Sequence, residues 1–174
     1  IINVGFNNET SLNALELAKK HLHIFSTVGF HPHEATDFDA EVVKYLAREK
    51  KVLAVGEIGL DFFRNLAPYS VQREVFSNQV LLAVDYDLPI IVHDRDAHQE
   101  CFKILKQANA KDVVFHCFSG DLIFAQQVLD EGWMISFTGS ITYPNSRLDD
   151  VIRMMPLDQF MIETDCPYLT PYPH

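Results

Sequence analysis

The sequence predicts an α/β fold of the TIM-barrel type, in which parallel strands alternate with helices. Two patterns predict it. Short apolar, β-rich runs alternate with stretches of helical apolar spacing, and polar residues follow several of the runs directly. Compared with a complete (β/α)₈ barrel, the first β/α unit and the C-terminal helix are expected to be absent from this sequence. The predicted buried parallel strands are Ile1–Val4, Ile24–Val28, Val52–Val55, Ile90–Val92, Val113–Phe115, Trp133–Phe137 and Phe160–Ile162.

The stretches between the strands carry helix signals. Apolar residues recur at helical spacing around Leu12–Leu17, Val42–Leu46 and Val75–Ala83. Residue types that favour helix N-caps stand ahead of the apolar stretches, and Gly132 stands where a helix would end. The predicted N-caps are Thr10 or Ser11, Asp39, Ser70 and Asp121.

An open, doubly wound sheet is the alternative arrangement of such units. A nucleotide-binding sheet of that kind carries a glycine-rich turn after its first strand, and Gly5-Phe6-Asn7-Asn8 has a single glycine. Ligand-type side chains at the carboxyl ends of several strands are instead typical of a barrel, which collects its site there. The barrel is therefore favoured.

Composition limits the possible functions. The chain has 174 residues, of which 48% are hydrophobic and 22% charged, as expected for one globular domain over residues 1–174. The net charge of −10 leaves no general basic surface that could hold DNA. Bound cations and local arginines would have to supply the attraction to a nucleic acid.

Cysteine usage and hydropathy predict a cytoplasmic protein without membrane association. The three cysteines show no zinc-finger spacing and leave one unpaired, so no disulfide framework is expected. No apolar run approaches the roughly 20 residues that span a bilayer. No charged-then-apolar leader opens the sequence.

Four residues at strand ends predict a site for divalent metal. Glu57 follows the third strand, His93 the fourth and His116 the fifth, and Asp165 lies just past the last strand. Each of them alone also fits a rim or loop position. Two histidines at equivalent positions favour metal binding, because imidazole is a common ligand of zinc-like ions. Two imidazoles with two carboxylates suit such an ion better than Ca²⁺, and the ion would activate water for hydrolysis.

The roles of several neighbouring residues stay open. Asp165 fits a metal ligand, a general base toward the attacking water, or both. His31, in Gly29-Phe30-His31-Pro32-His33, fits a contact to substrate phosphate or to the metal's surroundings, and equally a solvated rim loop. Arg64 and Arg95 are candidates for phosphate binding. Arg64 is preferred, because acidic residues flank Arg95 on both sides.

Five motifs follow one another along the chain, and together they cover nearly all of it: Gly29-Phe30-His31-Pro32-His33, Gly56-Glu57-Ile58-Gly59-Leu60-Asp61, Pro89-Ile90-Ile91-Val92-His93, His116-Cys117-Phe118-Ser119-Gly120 and Glu163-Thr164-Asp165-Cys166-Pro167-Tyr168-Leu169. In order and spacing they resemble the TatD family of metal-dependent deoxyribonucleases, within the amidohydrolase-like barrels. Five motifs in the same order make a chance resemblance very improbable.

The resemblance implies a site with two divalent ions, Mg²⁺, Mn²⁺ or Zn²⁺. Glu57 resembles the bridging carboxylate, His93 and His116 resemble ligands of one ion, and Asp165 resembles a ligand of the other. His31 and Arg64 are implied to bind substrate. The implied activity is hydrolysis of DNA phosphodiesters, often as a 3′ to 5′ exonuclease on single strands, with Glu57 and Asp165 as catalytic residues.

Two other functions stay open. One is a deacylase or ester hydrolase of the amidohydrolase-like type, acting on small or nucleic-acid-linked substrates. Many such barrels bridge their metals with a carboxylated lysine, so the glutamate at position 57 favours the nuclease. The other is an inactive fragment, because family members begin with a strand ending in a His-x-His pair and this sequence starts after that unit.

Overall fold

Strands and helices alternate along the whole chain. The structure, a computed structural model, describes residues 1–174 and divides into two units, Ile1–Val113 and Val114–His174. The strands are β1 (Ile2–Asn3), β2 (Phe25–Val28), β3 (Val52–Asp61), β4 (Ile90–Arg95), β5 (Val113–Phe115), β6 (Met134–Phe137) and β7 (Phe160–Ile162). The α-helices are α1 (Asn8–Lys20), α2 (Ala40–Leu46), α3 (Tyr69–Asp85), α4 (His98–Gln107), α5 (Leu122–Asp130) and α6 (Asp149–Met154), and two 3₁₀ helices cover Pro32–Asp37 and Gly139–Thr142.

In the first unit, the strands β1 to β4 are parallel neighbours in chain order. Ile2 pairs with Phe25, Thr27 with Ala54, and Gly59 with His93. A helix connects each pair, as parallel strands require. A doubly wound sheet would reverse its strand order at a switch point, whereas sequential parallel neighbours are the arrangement of a TIM-type barrel.

The second unit repeats the same plan. β5, β6 and β7 are parallel, with Phe115 opposite Ile135 and Phe137 opposite Ile162. An aromatic cluster fills its core, where Phe115 meets Phe124 edge-on at 5.3 Å between ring centroids. Trp133 is almost fully buried beside them.

The strand predictions were wrong in two respects. β3 runs ten residues to Asp61, well past Val55, so Glu57 lies inside a strand and not beyond its end. The first and last strands are not buried: Ile2 of β1 is 38% exposed and Ile162 of β7 is 83% exposed.

Helix starts were predicted correctly where an aspartate provides the cap. Asp39 and Asp121 cap α2 and α5 through their side chains. The prediction for α1 was wrong: Asn7 is the N-cap, and Thr10 is its partner three residues on in a capping box. The prediction of Ser70 as an N-cap was also wrong, since α3 begins at Tyr69 after Pro68. Gly132 has a φ of 75° at the end of α5, as predicted.

Two further expectations concern cysteines and membranes. All three cysteines are unpaired: Cys101 is buried, Cys117 half-buried and Cys166 exposed. None of the helices combines the length and the apolar character that crossing a membrane requires.

Candidate metal centre

Three side chains of the first unit converge on one point. His31, Glu57 and His93 offer ligand atoms that all lie within 4.8 Å of one another. Nδ1 of His93 lies 2.7 Å from Oε1 of Glu57, and Nε2 of His31 lies 3.5 Å from the same oxygen. Two imidazoles and a carboxylate are a suitable donor set for a zinc-like divalent ion. The residues present therefore fit a metal.

A fourth side chain, that of Asp61, contacts this cluster through His93. Its Oδ2 lies 2.7 Å from Nε2 of His33 and 3.3 Å from Nε2 of His93, while Oδ1 accepts the Arg64 N–H at 2.7 Å. Burial alone would raise the pKa of Asp61, but hydrogen bonds from His93, the Arg64 N–H and His33 hold that pKa well below its usual range. A buried anionic carboxylate thus orients two imidazole rings, as outer-shell carboxylates do at metal sites.

His31 is neutral at physiological pH. Burial, reinforced by the nearby His93, lowers the pKa of His31 to about 3, although Glu57 opposes the shift. A metal ion binds imidazole through an unprotonated nitrogen, so no proton competes for His31 near neutral pH. The sequence had suggested a substrate-side role for His31, whereas the geometry places it beside two predicted ligands.

Close strand packing positions Glu57 and His93. Glu57 donates its N–H to the Gly5 carbonyl at 3.0 Å. The register between β3 and β4 shifts between Val55 and Ile58, next to Glu57. Gly59 then faces His93, with a φ of 152° and no room for a Cβ, which would lie 1.9 Å from the His93 carbonyl oxygen. Only glycine allows the two strands to approach this closely at His93.

Two buried glutamines of α3 hold the backbone that carries this site. The side-chain amide of Gln79 pairs with both backbone groups of Phe30, accepting its N–H at 2.8 Å and donating to its carbonyl at 2.9 Å. Gln72 does the same for Asp61, accepting its N–H at 2.9 Å and donating to its carbonyl at 3.2 Å. The same helix thus holds the backbone of Phe30, which precedes His31, and the backbone of Asp61, whose carboxylate contacts His93.

We expect Gln79→Leu to destabilise the protein by about 2 kcal/mol or more. Leucine fills a similar volume but leaves the buried N–H and carbonyl of Phe30 without partners. Urea unfolding would measure the change. Gln107→Leu, at the exposed end of α4, is the matched control and should stay within about 0.5 kcal/mol of the parent. Equal stability of the two variants would contradict the role of Gln79.

The second unit holds a histidine–carboxylate pair. Nδ1 of His116 lies 2.9 Å from Oε2 of Glu163. The same carboxylate accepts the Cys117 N–H at 2.7 Å and the Ser136 hydroxyl at 2.6 Å. Burial would raise the pKa of Glu163, but its hydrogen bond with His116, assisted by Ser136 and the Cys117 N–H, holds it below its usual value. Glu163 therefore fixes the ring of His116 through Nδ1.

The remaining predicted residues lie on loops. Asp165 is half-buried, three residues past β7. Arg64 is exposed, three residues past Asp61, and its backbone N–H is tied to that carboxylate. Of the four predicted ligands, Glu57 and His93 lie together in the first unit, and His116 and Asp165 belong to the second.

Sequence reasoning missed the roles of Asp61 and the two glutamines in the first unit and of Glu163 in the second. Asp61 and Glu163 each stand inside a motif, but neither was assigned a role. Gln72 and Gln79 carried a signal: both fall on the apolar stripe of α3, with Val75, Phe76, Val80 and Ala83. A polar residue inside such a stripe indicates a buried hydrogen-bond partner.

Comparison with known sequences finds metal-dependent hydrolases among the relatives of this chain. Residues 1–174 match the family described as TatD related DNase. The chain is 38% identical to the uncharacterized metal-dependent hydrolase YabD of Bacillus subtilis, over 99% of this chain and 70% of the relative. It is 37% identical to the 3′-5′ ssDNA/RNA exonuclease TatD of Erwinia amylovora, over 96% of this chain and 68% of the relative. The chain thus spans roughly two thirds of these proteins.

A solved structure supports the fold. The crystal structure of YJJV, a TatD homolog from Escherichia coli K12, superposes with a TM-score of 0.89 at 33% identity. The match covers 98% of this chain and 69% of that one. The predicted fold class, an α/β barrel of the TIM type, is confirmed.

Proposed function

This chain belongs to the family of TatD-related DNases, and on that premise we propose that the whole protein is a nuclease that shortens single-stranded DNA from its 3′ end. The observation that carries the proposal is the convergence of His31, Glu57 and His93, with ligand atoms within 4.8 Å of one another. The name of the Erwinia amylovora relative, a 3′-5′ ssDNA/RNA exonuclease, supports the choice of substrate. Free cysteines support a cytoplasmic location, and residues 1–174 are proposed to belong to one barrel domain.

The proposed metal ligands are Glu57, His93, His116 and Asp165. His31 joins them because its neutral ring lies 3.5 Å from Glu57. Divalent metal held there would supply Lewis-acid activation of the attacking water and neutralise charge on the phosphate. Two ions are proposed, as the resemblance to TatD deoxyribonucleases implies.

The protein's own groups would perform the remaining steps. Asp61 and Glu163 hold the rings of His93 and His116 in place, so the site needs little rearrangement when substrate binds. Asp165 is proposed to accept the proton of the attacking water at a carboxylate oxygen. The exposed guanidinium of Arg64 is proposed to bind a phosphate oxygen.

We expect the whole protein to degrade a 5′-labelled single-stranded oligonucleotide when Mg²⁺ or Mn²⁺ is present. Labelled products should form a ladder that shortens progressively from the 3′ end. A chelator should stop the reaction and added metal should restore it. A blunt duplex of the same sequence is the matched substrate and should be degraded more slowly.

Two results would contradict this proposal. One is an intact oligonucleotide with each of Mg²⁺, Mn²⁺ and Zn²⁺. The other is hydrolysis of carboxylic esters or amides in the same buffers without cleavage of DNA, which would assign the site to a deacylase or esterase.

A further inference from the structure

An exposed aromatic ring follows the strand that carries Glu57 and Asp61. Phe63 is 62% exposed, two residues beyond Asp61. Cζ of Arg95 lies 4.1 Å from the centroid of the Phe63 ring, within range of a cation–π contact. The ring is therefore supported by a cation while most of its surface remains open to solvent.

The backbone that carries Phe63 is fixed on both sides. Phe62 donates its N–H to the Arg95 carbonyl at 3.0 Å, and its own carbonyl accepts the Tyr69 hydroxyl at 3.0 Å. On the other side, the Arg64 N–H donates to Asp61 at 2.7 Å. A phenylalanine on a mobile loop loses conformational entropy when it binds a ligand. The backbone of this segment is already held by hydrogen bonds, so that entropic cost is small.

A second aromatic layer supports the segment. The rings of Phe62 and Tyr69 lie 4.4 Å apart, and the guanidinium of Arg73 lies 5.1 Å from the Phe62 ring. Arg73 is itself held by two contacts to Glu100, one of them at 2.9 Å. Arginine and aromatic side chains thus alternate around one short stretch of chain.

Positive charge is concentrated around residues 62–73. The chain has six arginines and a net charge of −10, yet Arg64, Arg73 and Arg95 all lie on or against residues 62–73. Glu100 pairs with Arg73, whereas Arg95 lies over the Phe63 ring and Arg64 follows Phe63 in the chain. Aromatic faces next to arginines are the features with which proteins hold unpaired bases and the adjoining phosphates.

The position of the ring connects it to the site. Asp61 pairs with Arg95 across β3 and β4, and the Asp61 carboxylate contacts both His33 and His93. We propose that Phe63, backed by Arg95, is a stacking platform for a nucleobase of single-stranded nucleic acid and positions the neighbouring phosphodiester at the metal centre. This inference rests on the proposed nuclease function and names the group that the site recognises.

Binding and cleavage are measured separately to test the platform. With Ca²⁺ in place of the activating ion, fluorescence anisotropy gives the affinity for a labelled single-stranded oligonucleotide. We expect Phe63→Ala to weaken binding about 5- to 100-fold and to lower kcat/KM by a similar factor. Phe63→Trp keeps a stacking surface and should retain the parent's affinity.

Two controls make the test specific. Tyr45→Ala removes a ring on α2 that is 66% exposed and should change neither affinity nor kcat/KM. An oligonucleotide that carries abasic sites at its 3′ end offers no base, so Phe63→Ala and the parent protein should handle it equally.

The platform is wrong if Phe63→Ala binds the normal oligonucleotide as tightly as the parent, or if the variant loses as much on the abasic oligonucleotide. A different result would show that the platform is correct but the proposed nuclease function is wrong. In that case the parent would bind the oligonucleotide in a Phe63-dependent way and leave it uncut with every metal.

Discussion

Glu57→Gln is expected to abolish metal binding and DNA cleavage together while the fold persists. The Glu57 carboxylate approaches both His93 and His31, so it is the charge that the three-residue cluster shares. Loss of an outer-shell partner typically lowers metal affinity or activity about 10- to 100-fold, and loss of a charged ligand should exceed about 100-fold. Calorimetric titration with Mn²⁺ and the oligonucleotide assay measure the two losses.

Glu41→Gln is the matched control, because it removes an exposed carboxylate on α2 that contacts only Lys44 among the lysines and arginines. It should change neither measurement. Asp165→Asn tests the second unit in the same way and should also stop cleavage. Full activity in both Glu57→Gln and Asp165→Asn would show that the chemistry occurs elsewhere.

Gly59→Ala is expected to lower the free energy of unfolding by about 4 kcal/mol or more, at the upper end for single substitutions. A Cβ at this position would lie 1.9 Å from the His93 carbonyl oxygen and 3.0 Å from the His93 nitrogen. Both are backbone atoms of a paired strand, so no flexible side chain can move aside. β3 and β4 would have to separate where His93 enters the site. Denaturant unfolding measures the loss.

The matched control for Gly59 separates steric overlap from backbone strain. Gly132 also has a positive φ, of 75°, but a Cβ there would have nothing within 4 Å. Gly132→Ala should therefore show only the strain of the left-handed conformation, about 1 to 2 kcal/mol. If the two alanine variants were equally stable, the close approach of β3 and β4 at His93 would not matter for folding.

Local sequence patterns were enough to predict the order of strands and helices. Alternating apolar periods and polar caps are properties of short segments, and Asp39 and Asp121 were correct for that reason. Ligand chemistry was also visible locally for Glu57 and His93, which each follow or enter an apolar run. His31 lies with them, with ligand atoms within 4.8 Å of one another, although the sequence had placed it on the substrate side.

Contacts between distant segments could not be predicted. The true length of β3 was missed because the motif around Gly56 and Gly59 interrupts the apolar run. Pairing with β4 extends the strand through this motif to Asp61. Asp61 acts on His33 and His93, which lie 28 and 32 residues away. No pattern in the motif that contains Asp61 predicts that His33 and His93 are its partners.

The two glutamines of α3 also limit how this protein can change length over evolution. Gln72 and Gln79 lie seven residues apart on one helical face, close to two turns or about 10 Å along the axis. One inserted residue between them would rotate one amide by about 100° relative to the other. The chain would then release either Phe30 or Asp61. Insertions and deletions should therefore be excluded from this part of α3, even where its other side chains vary freely.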